Sequence, residues 1–497
     1  MCDVVVIGAG LGGLTCGYVL QRNGYNVTVL EQGTQIGGCL QCFSRGGVRF
    51  ETGMHFIGSA SEGQTMDRMM RFFGLKDDVR LSELDRQAYN TVSLCGQEFR
   101  FPNSREAFID RMSSYFPKER DALGKYVEIV DRVAEASTVD SLLSGNRDIA
   151  ANTEFQSRSI NDVLDSIFED GLLKKVLVGD LPLYSAVRDR TPFSMHAFIM
   201  DFYNRSTYRV VGGSDSIARS LTESIRRMGG RVTAGRKVSR IVCDDTRATG
   251  VETSDGEFYP AGYVISTVHP NRLLEMLDTR LIRPAFRSRI TAIPQTSSVF
   301  ALYVRFRKGC MPYMNTNYFG YSGDTPWGCE RYTDAEWPKA FLYMHMCHSD
   351  SPEWAESGVV LSYMNMSELS RWTGTAVGHR GAEYEAFKRS RAERLIGEVE
   401  RHLPGFASSL ESYYTSTPLT YRDYTGTEDG SIYGVARDIT LGAGGRVPYR
   451  TKVPNLLLAG QNVNSHGIMG VMVSTMVTCS ELVPVAQIYR QINESYR

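Results

Sequence analysis

The chain has 497 residues, 42% hydrophobic and 22% charged, with a formal net charge of −1. That length allows two or three domains with full cores, and the near-zero charge leaves no electrostatic footprint for nucleic acid. Ten cysteines scattered through a chain that opens without an export leader predict reduced thiols in a cytoplasmic protein, not a disulfide framework.

The N-terminus, DVVVIGAGLGGLTCGYVLQRNGYNVTVLEQ, predicts a buried strand at residues 4–7, a glycine turn, a helix at about 11–22 and a second strand at 27–30. Leu11, Leu14, Tyr18 and Val19 supply the helical periodicity. Residues 76 to 205 are predicted mostly helical, as in FPKERDALGKYVEIVDRVAEA, where charges alternate with an apolar stripe. A second βα-rich block follows from about 208 to 278, with a helix at 215–227, the strand pattern RVTAGRKVSRIVCD and the strand GYVIST. Its basic cluster (Arg226, Arg227, Arg231, Arg236, Lys237) is assigned to a solvated face.

From about residue 297 the pattern turns to sheet: SVFALYVRF, AFLYMHMC and GVVLSYMNM. A polar helix is predicted at 384–403, and LLLAG near the end is a buried strand leading into a helix at about 467. No run of about 18 or more uncharged apolar residues occurs, so no spanning segment is predicted. Peripheral membrane contact stays open.

Gly8-x-Gly10-x-x-Gly13 follows a strand and opens a helix, the context a dinucleotide fingerprint requires. The first glycine makes the turn, the second lets backbone approach a pyrophosphate, and the third allows helix–strand packing. The helix N-terminus at Leu11 and Gly12 favours the negative charge. Glu31 ends the second strand where an acid binds a ribose diol and disfavours a 2′-phosphate, and Gln32 beside it is a further candidate cofactor contact. The site is expected to hold FAD or NAD.

The stretch GGCLQC (residues 37–42) holds a Cys-x-x-Cys pair, Cys39 and Cys42. It lacks the strand-to-helix setting of a thioredoxin-like pair and the second paired set of a zinc site. His345 and His348, three apart on a strand, are predicted to point to opposite faces, and no metal site is expected. Gly442-x-Gly444-Gly445 runs into Pro448, so no second nucleotide unit is expected.

The motif extends through Glu31-x-x-x-x-Ile36-Gly37-Gly38 and Gly47-x-x-x-Glu51-x-Gly53. In this form it resembles the flavoproteins that include amine oxidases, phytoene desaturases and carotenoid isomerases. FETGMHFIG (50–58), TPFSMHAFIM (191–200), RVVGGSDSIA (209–218), RGAEYEAFKRS (380–390), TPLTYRDY (417–424) and LLLAGQNV (456–463) carry the resemblance further, to the retinol saturase branch of that group. The similarity covers nearly the whole chain. Gln461 after Gly460 leans toward that branch, whereas His466-Gly467 is closer to the desaturase pattern. The absent leader separates the chain from animal members and suggests a bacterial-type cytoplasmic form.

The resemblance implies an α/β fold: a Rossmann-like FAD-binding domain of the amine oxidase and phytoene desaturase type, with an interleaved α+β substrate domain carrying a mixed sheet and a helical cap. The expected divisions are residues 1–75, 206–295 and 436–497 for FAD, and 76–205 with 296–435 for substrate. It implies FAD contacts at Gly37, Gly38, Cys39, Gly53, Met54 and His55, at Lys237 and Val238 beside the adenine, and at Gly460, Gln461, Gly467, Ile468 and Met469 beside the ribityl chain and flavin. Cys42 is assigned to packing.

The activity implied is reduction of a C=C bond in a lipophilic polyene or isoprenoid, with hydride from flavin N5 and a proton delivered to the other carbon. His55 is the first candidate donor, with Tyr184 and His196 as further candidates. Tyr343, Met344, Met346, Tyr363, Met364 and Met366 are expected to form an apolar wall. The electron donor is left as NAD(P)H, a redox protein or a quinone. Redox-neutral cis–trans isomerisation and desaturation stand as alternatives, with a non-catalytic flavin- and lipid-binding protein further away.

Overall fold

The computed structural model describes residues 3–136, 154–349, 352–427 and 429–496. Two sheets organise it. The first is parallel and five-stranded, in the order Arg231–Thr233, Asn26–Leu30, Asp3–Ile7, Tyr263–Ser266, Leu456–Leu458. Its central strand, Asp3–Ile7, pairs with Asn26–Leu30 on one side and Tyr263–Ser266 on the other. Val4, Val5, Val6 and Ile7 are all buried because helices and loops cover both faces. The Leu11–Arg22, Asp215–Arg227 and Gly467–Cys479 helices lie over one face, sharing an apolar core with Val4, Val6 and Ile265.

The second sheet is mixed and seven-stranded, in the order Leu410–Ser416, Val299–Phe306, Ser357–Tyr363, Ala340–His345, Asn317–Tyr321, Asn90–Leu94, Gln97–Phe101. The helices Arg105–Tyr115, Arg120–Glu135, Ile160–Ile167, Gly171–Leu177 and Phe193–Arg205 pack on one face. The Ala382–His402 helix covers the other.

The largely helical reading of residues 76–205 needs correction. Leu81–Glu83, Asn90–Leu94 and Gln97–Phe101 are strands, the last two a hairpin turning at Cys95 and Gly96, both with positive φ. The alternation in NTVSLCGQEFRF has period two, and it buries Val92, Leu94, Phe99 and Phe101. The RVTAGRKVSRIVCD segment likewise divides. Arg231–Thr233 joins the parallel sheet, while Val238–Cys243 starts a separate three-stranded antiparallel sheet. No helix among the described residues is long and apolar enough to cross a membrane.

Candidate active site

Between the two sheets lies a cavity of about 1490 Å³. Small-molecule sites occupy roughly 300–1,000 Å³, so this one has room for a dinucleotide and a second ligand.

One end is built from glycines. Gly8, with φ +95°, turns the chain out of the first strand, and its N–H donates to Leu30 O at 2.8 Å. A side chain at Gly13 would run into Gly8 O, so Gly13 is the helix-to-strand contact and does not line the cavity. Gly12 meets Gly460: a Cβ there would lie 3.1 Å from Gly460 Cα. At Gly10 a Cβ would find only Gly38 Cα, at 3.8 Å, so the space above it is held open rather than filled by protein. The helix following Gly10 has no side-chain cap, leaving its first N–H groups for a ligand.

Glu31 is fixed by two amides. Its Oε2 accepts from Ala9 N at 2.8 Å and its Oε1 from Gly33 N at 2.8 Å. Each oxygen keeps lone pairs for hydroxyl donors in the cavity. Gln32, Lys237 and Val238 line the same end. Thr15 Oγ1 lies 2.8 Å from Thr475 Oγ1, tying the Leu11–Arg22 helix to the Gly467–Cys479 helix. Gly467, Ile468 and Met469 present that second helix's uncapped N-terminus to the cavity.

Gly37, Gly38, Cys39, Gly53, Met54 and His55 line the middle of the cavity. Gly53 lies so close to Cys39 that a Cβ would sit 3.0 Å from Cys39 Cβ. The accessible surface of Cys39 faces the cavity, and desolvation there raises its thiol pKa. Cys42 is buried, 3.7 Å from Ser214 Oγ, and both cysteines are free thiols. His55 is 8% exposed, and neither ring nitrogen has a hydrogen-bond partner. Its Nδ1 lies 3.6 Å from Glu51 Oε2, while Glu51 Oε1 accepts from Ser214 N at 3.0 Å.

Tyr184 and His196 are placed elsewhere. His196 is fully buried in the helical block, with Nε2 2.8 Å from the Tyr126 hydroxyl and Nδ1 2.8 Å from the Tyr184 hydroxyl. Burial lowers its pKa to about 3, and neither residue lines the cavity. The pair meets by a tertiary contact, Tyr184 after the Leu181–Leu183 turn and His196 on the Phe193–Arg205 helix, inside the cap core.

The expected Met and aromatic wall is also corrected. None of Tyr343, Met344, Met346, Tyr363, Met364 and Met366 lines the large cavity; Val299, Tyr303, Leu342 and Leu361 from the same sheet do. Tyr343 and Met364 belong to the core under the Ala382–His402 helix, and Met344 and Met346 to the core under the cap. The opposite wall comes from the cap through Leu183, Phe198, Phe202 and Tyr203. His345 and His348 have separate partners, Met314 N and Ser357 Oγ, and no metal-binding group of three side chains occurs among the described residues.

Sequence reasoning missed Tyr433 as a cavity residue and gave His466 no role there. His466 stands directly before a helix already recognised as cofactor-facing, so its position was the available signal. Tyr433 lies in a segment without a motif.

The fold, the glycine cradle and the carboxylate at its edge define a dinucleotide-binding flavoprotein, and its cofactor is FAD. The chain matches the pattern of the flavin containing amine oxidoreductases over residues 11–474 and belongs to that family. It is similar to the all-trans-retinol 13,14-reductase of Rattus norvegicus, 27% identical across 99% of this chain and 87% of that one. It is also similar to a chloroplastic prolycopene isomerase of an Oncidium hybrid cultivar, 22% identical across 95% of this chain and 82% of that one. Among solved structures, an oxidoreductase from Methanosarcina mazei shares the fold, with TM-score 0.64, 16% identity, and coverage of 96% of this chain and 100% of that one.

Proposed function

We propose that this FAD-dependent oxidoreductase reduces a C=C bond of a lipophilic polyene or isoprenoid. The observation that carries the reading is the apolar half of the cavity. Beyond the glycine cradle, the walls are Phe198, Phe202, Val299, Leu342 and Leu361, which suit a long hydrocarbon and exclude water. The reductase similarity along almost the full chain supports the same reading.

The amides of Leu11 and Gly12 would hold the pyrophosphate, Glu31 the ribose hydroxyls, and Lys237 with Val238 the adenine. Gly467, Ile468 and Met469 would place a helix N-terminus against the flavin edge that becomes negative on reduction. Bound FAD supplies the hydride. The residues of the chain orient the polyene, keep water away and deliver a proton. His55 is the candidate donor because its two ring nitrogens are buried without a hydrogen-bond partner, Nδ1 lies 3.6 Å from Glu51 Oε2, and the residue lines the cavity.

The test is anaerobic mixing of photoreduced enzyme with all-trans-retinol and a panel of polyenes, followed optically and by mass spectrometry. Reduction gives reoxidised flavin and a product two hydrogens heavier. The isomerase similarity favours a second reading, geometric change at constant mass with flavin redox state unchanged. Neither change across the panel would sink both.

A further inference from the structure

Leu342 and Leu361 are directly paired across neighbouring strands of the mixed sheet. Both line the large cavity, and Leu361 remains partly exposed although its strand is interior to the sheet. The surface it exposes is therefore cavity surface. Behind this pair lies a small apolar void of about 20 Å³, room for roughly one water-sized group.

Five residues line both spaces: Val299, Leu342, Leu361, Ile432 and Tyr433. Pro182, Ala340, Phe341, Ser362 and Tyr363 complete the lining of the void. Tyr363 lies two residues beyond Leu361 on the same strand face, and its cross-strand partner is Val299. Two residues of strand advance about 7 Å, and Val299 opposite Tyr363 lines both spaces, so the void lies beside the cavity at the Tyr363 level of the sheet.

Tyr433 is a rigid side of this passage. Its hydroxyl donates to Pro182 O at 3.0 Å, and its ring packs against His466 with the planes tilted by 30°. The leucine pair has no such tether.

Resting on the reading of an apolar substrate, we propose that Leu342 and Leu361 form a length stop, setting how long a hydrocarbon chain the cavity accepts. Removing either isobutyl group would join the void to the cavity. A chain longer by part of an isoprene unit would then fit without displacing the sheet.

The probes are geraniol, farnesol, geranylgeraniol and all-trans-retinol, with dissociation constants taken from perturbation of the flavin absorbance of the holoenzyme. Leu361→Ala should shift the affinity ratio toward the longer prenyl alcohol of a neighbouring pair by about tenfold or more. Leu361→Met, which conserves volume, should keep the native ratio. Leu342→Ala opens the same passage from the other strand and serves if Leu361→Ala does not fold. An unchanged ratio in the leucine-to-alanine variants, with every probe binding, overturns the length stop alone. Failure of the native enzyme to bind any probe overturns the apolar-substrate reading and the stop with it.

Discussion

The imidazole of His466 lies against the ring of Tyr433, with centroids 4.3 Å apart and planes tilted by 30°. Its Nε2 is 3.2 Å from Leu183 O. A carbonyl can only accept, so Nε2 carries the proton and Nδ1 is left with a lone pair. Burial is the main cause that lowers the pKa of this histidine to about 4, with the charge of Arg437 acting the same way and the Leu183 bond opposing. The ring is neutral at physiological pH. Histidine-selective NMR should show it titrating near 4, and Tyr433→Ala, which opens the ring to solvent, should move that value up toward 6.5.

The glycine cradle separates folding from cofactor binding. Gly10 has ordinary backbone geometry, φ −73°, and open space where a Cβ would go. Gly10→Ala should fold with a native circular dichroism spectrum and purify without yellow colour. Gly13→Ala pushes a methyl into the Gly8 carbonyl, and soluble expression itself should fall.

His55 tests the chemistry. His55→Gln keeps hydrogen-bonding capacity without titrating in the working range, and turnover of photoreduced enzyme should drop by about 10²-fold or more if the imidazole donates the proton. Flavin content, measured by absorbance, should stay within a small factor of native. Equal turnover in the variant would remove His55 from the mechanism.

Stability should fall in mild acid. His196 and His345 are lowered from 6.5 to about 3 by burial, and His466 to about 4. Between those values and 6.5 the unfolded chain binds protons that the folded chain does not. The contribution is fully present above about pH 6.5 and is lost as pH drops, by up to about 1.4 kcal/mol per unit per site. Carboxyls oppose them: burial raises Asp131 to about 6 and Asp201 in the same direction, and Asp180 acts the same way. Burial pushes its carboxyl from 3.8 to about 7, so its contribution is lost as pH rises through that window. Melting temperatures from pH 7 to 4.5 should decline, and Asp180→Asn should steepen the decline. His196→Gln should make the decline shallower, and an unchanged profile in that variant would contradict a neutral buried imidazole at His196.

Cys39 and Cys42 should behave independently. The Cys39 thiol faces the cavity with a raised pKa, and Cys42 is raised first by burial and then by the charge of Glu51. Iodoacetamide at neutral pH should label exposed Cys95 and Cys310 first. Cys39 should follow slowly in apoprotein and be protected in holoenzyme. Peptide mapping that found a Cys39–Cys42 disulfide in enzyme prepared under reducing conditions would refute this.

The sequence made the dinucleotide end legible because its constraints are local. Turn geometry at Gly8, packing at Gly13 and the acid at Glu31 are each dictated within one βαβ unit. Of the FAD contacts named from sequence, Gly13 alone lies off the cavity, in the packing position its role demands. The apolar end was not legible in the same way. Which of Leu342 and Tyr343 faces the cavity depends on how the sheet is covered, and both faces are buried here. A strand buried on both sides carries no alternation to reveal direction. Tyr184 and His196 share the difficulty, since they sit on separate elements and only the tertiary packing of the cap decides what they meet.

The parallel sheet takes its strands from residues 3–30, 231–266 and 456–458. During synthesis, its N-terminal portion leaves the ribosome long before Leu456–Leu458 and the helix after it exist. Domains ordinarily fold as units while the chain emerges, but this one lacks an edge strand and one side of the Gly12–Gly460 contact until residue 460 has been made. A complete dinucleotide cradle therefore requires the Leu456–Leu458 strand and the helix after it to be in place. Until then Asp3–Ile7 and Asn26–Leu30 are nascent apolar strands that need shelter from aggregation.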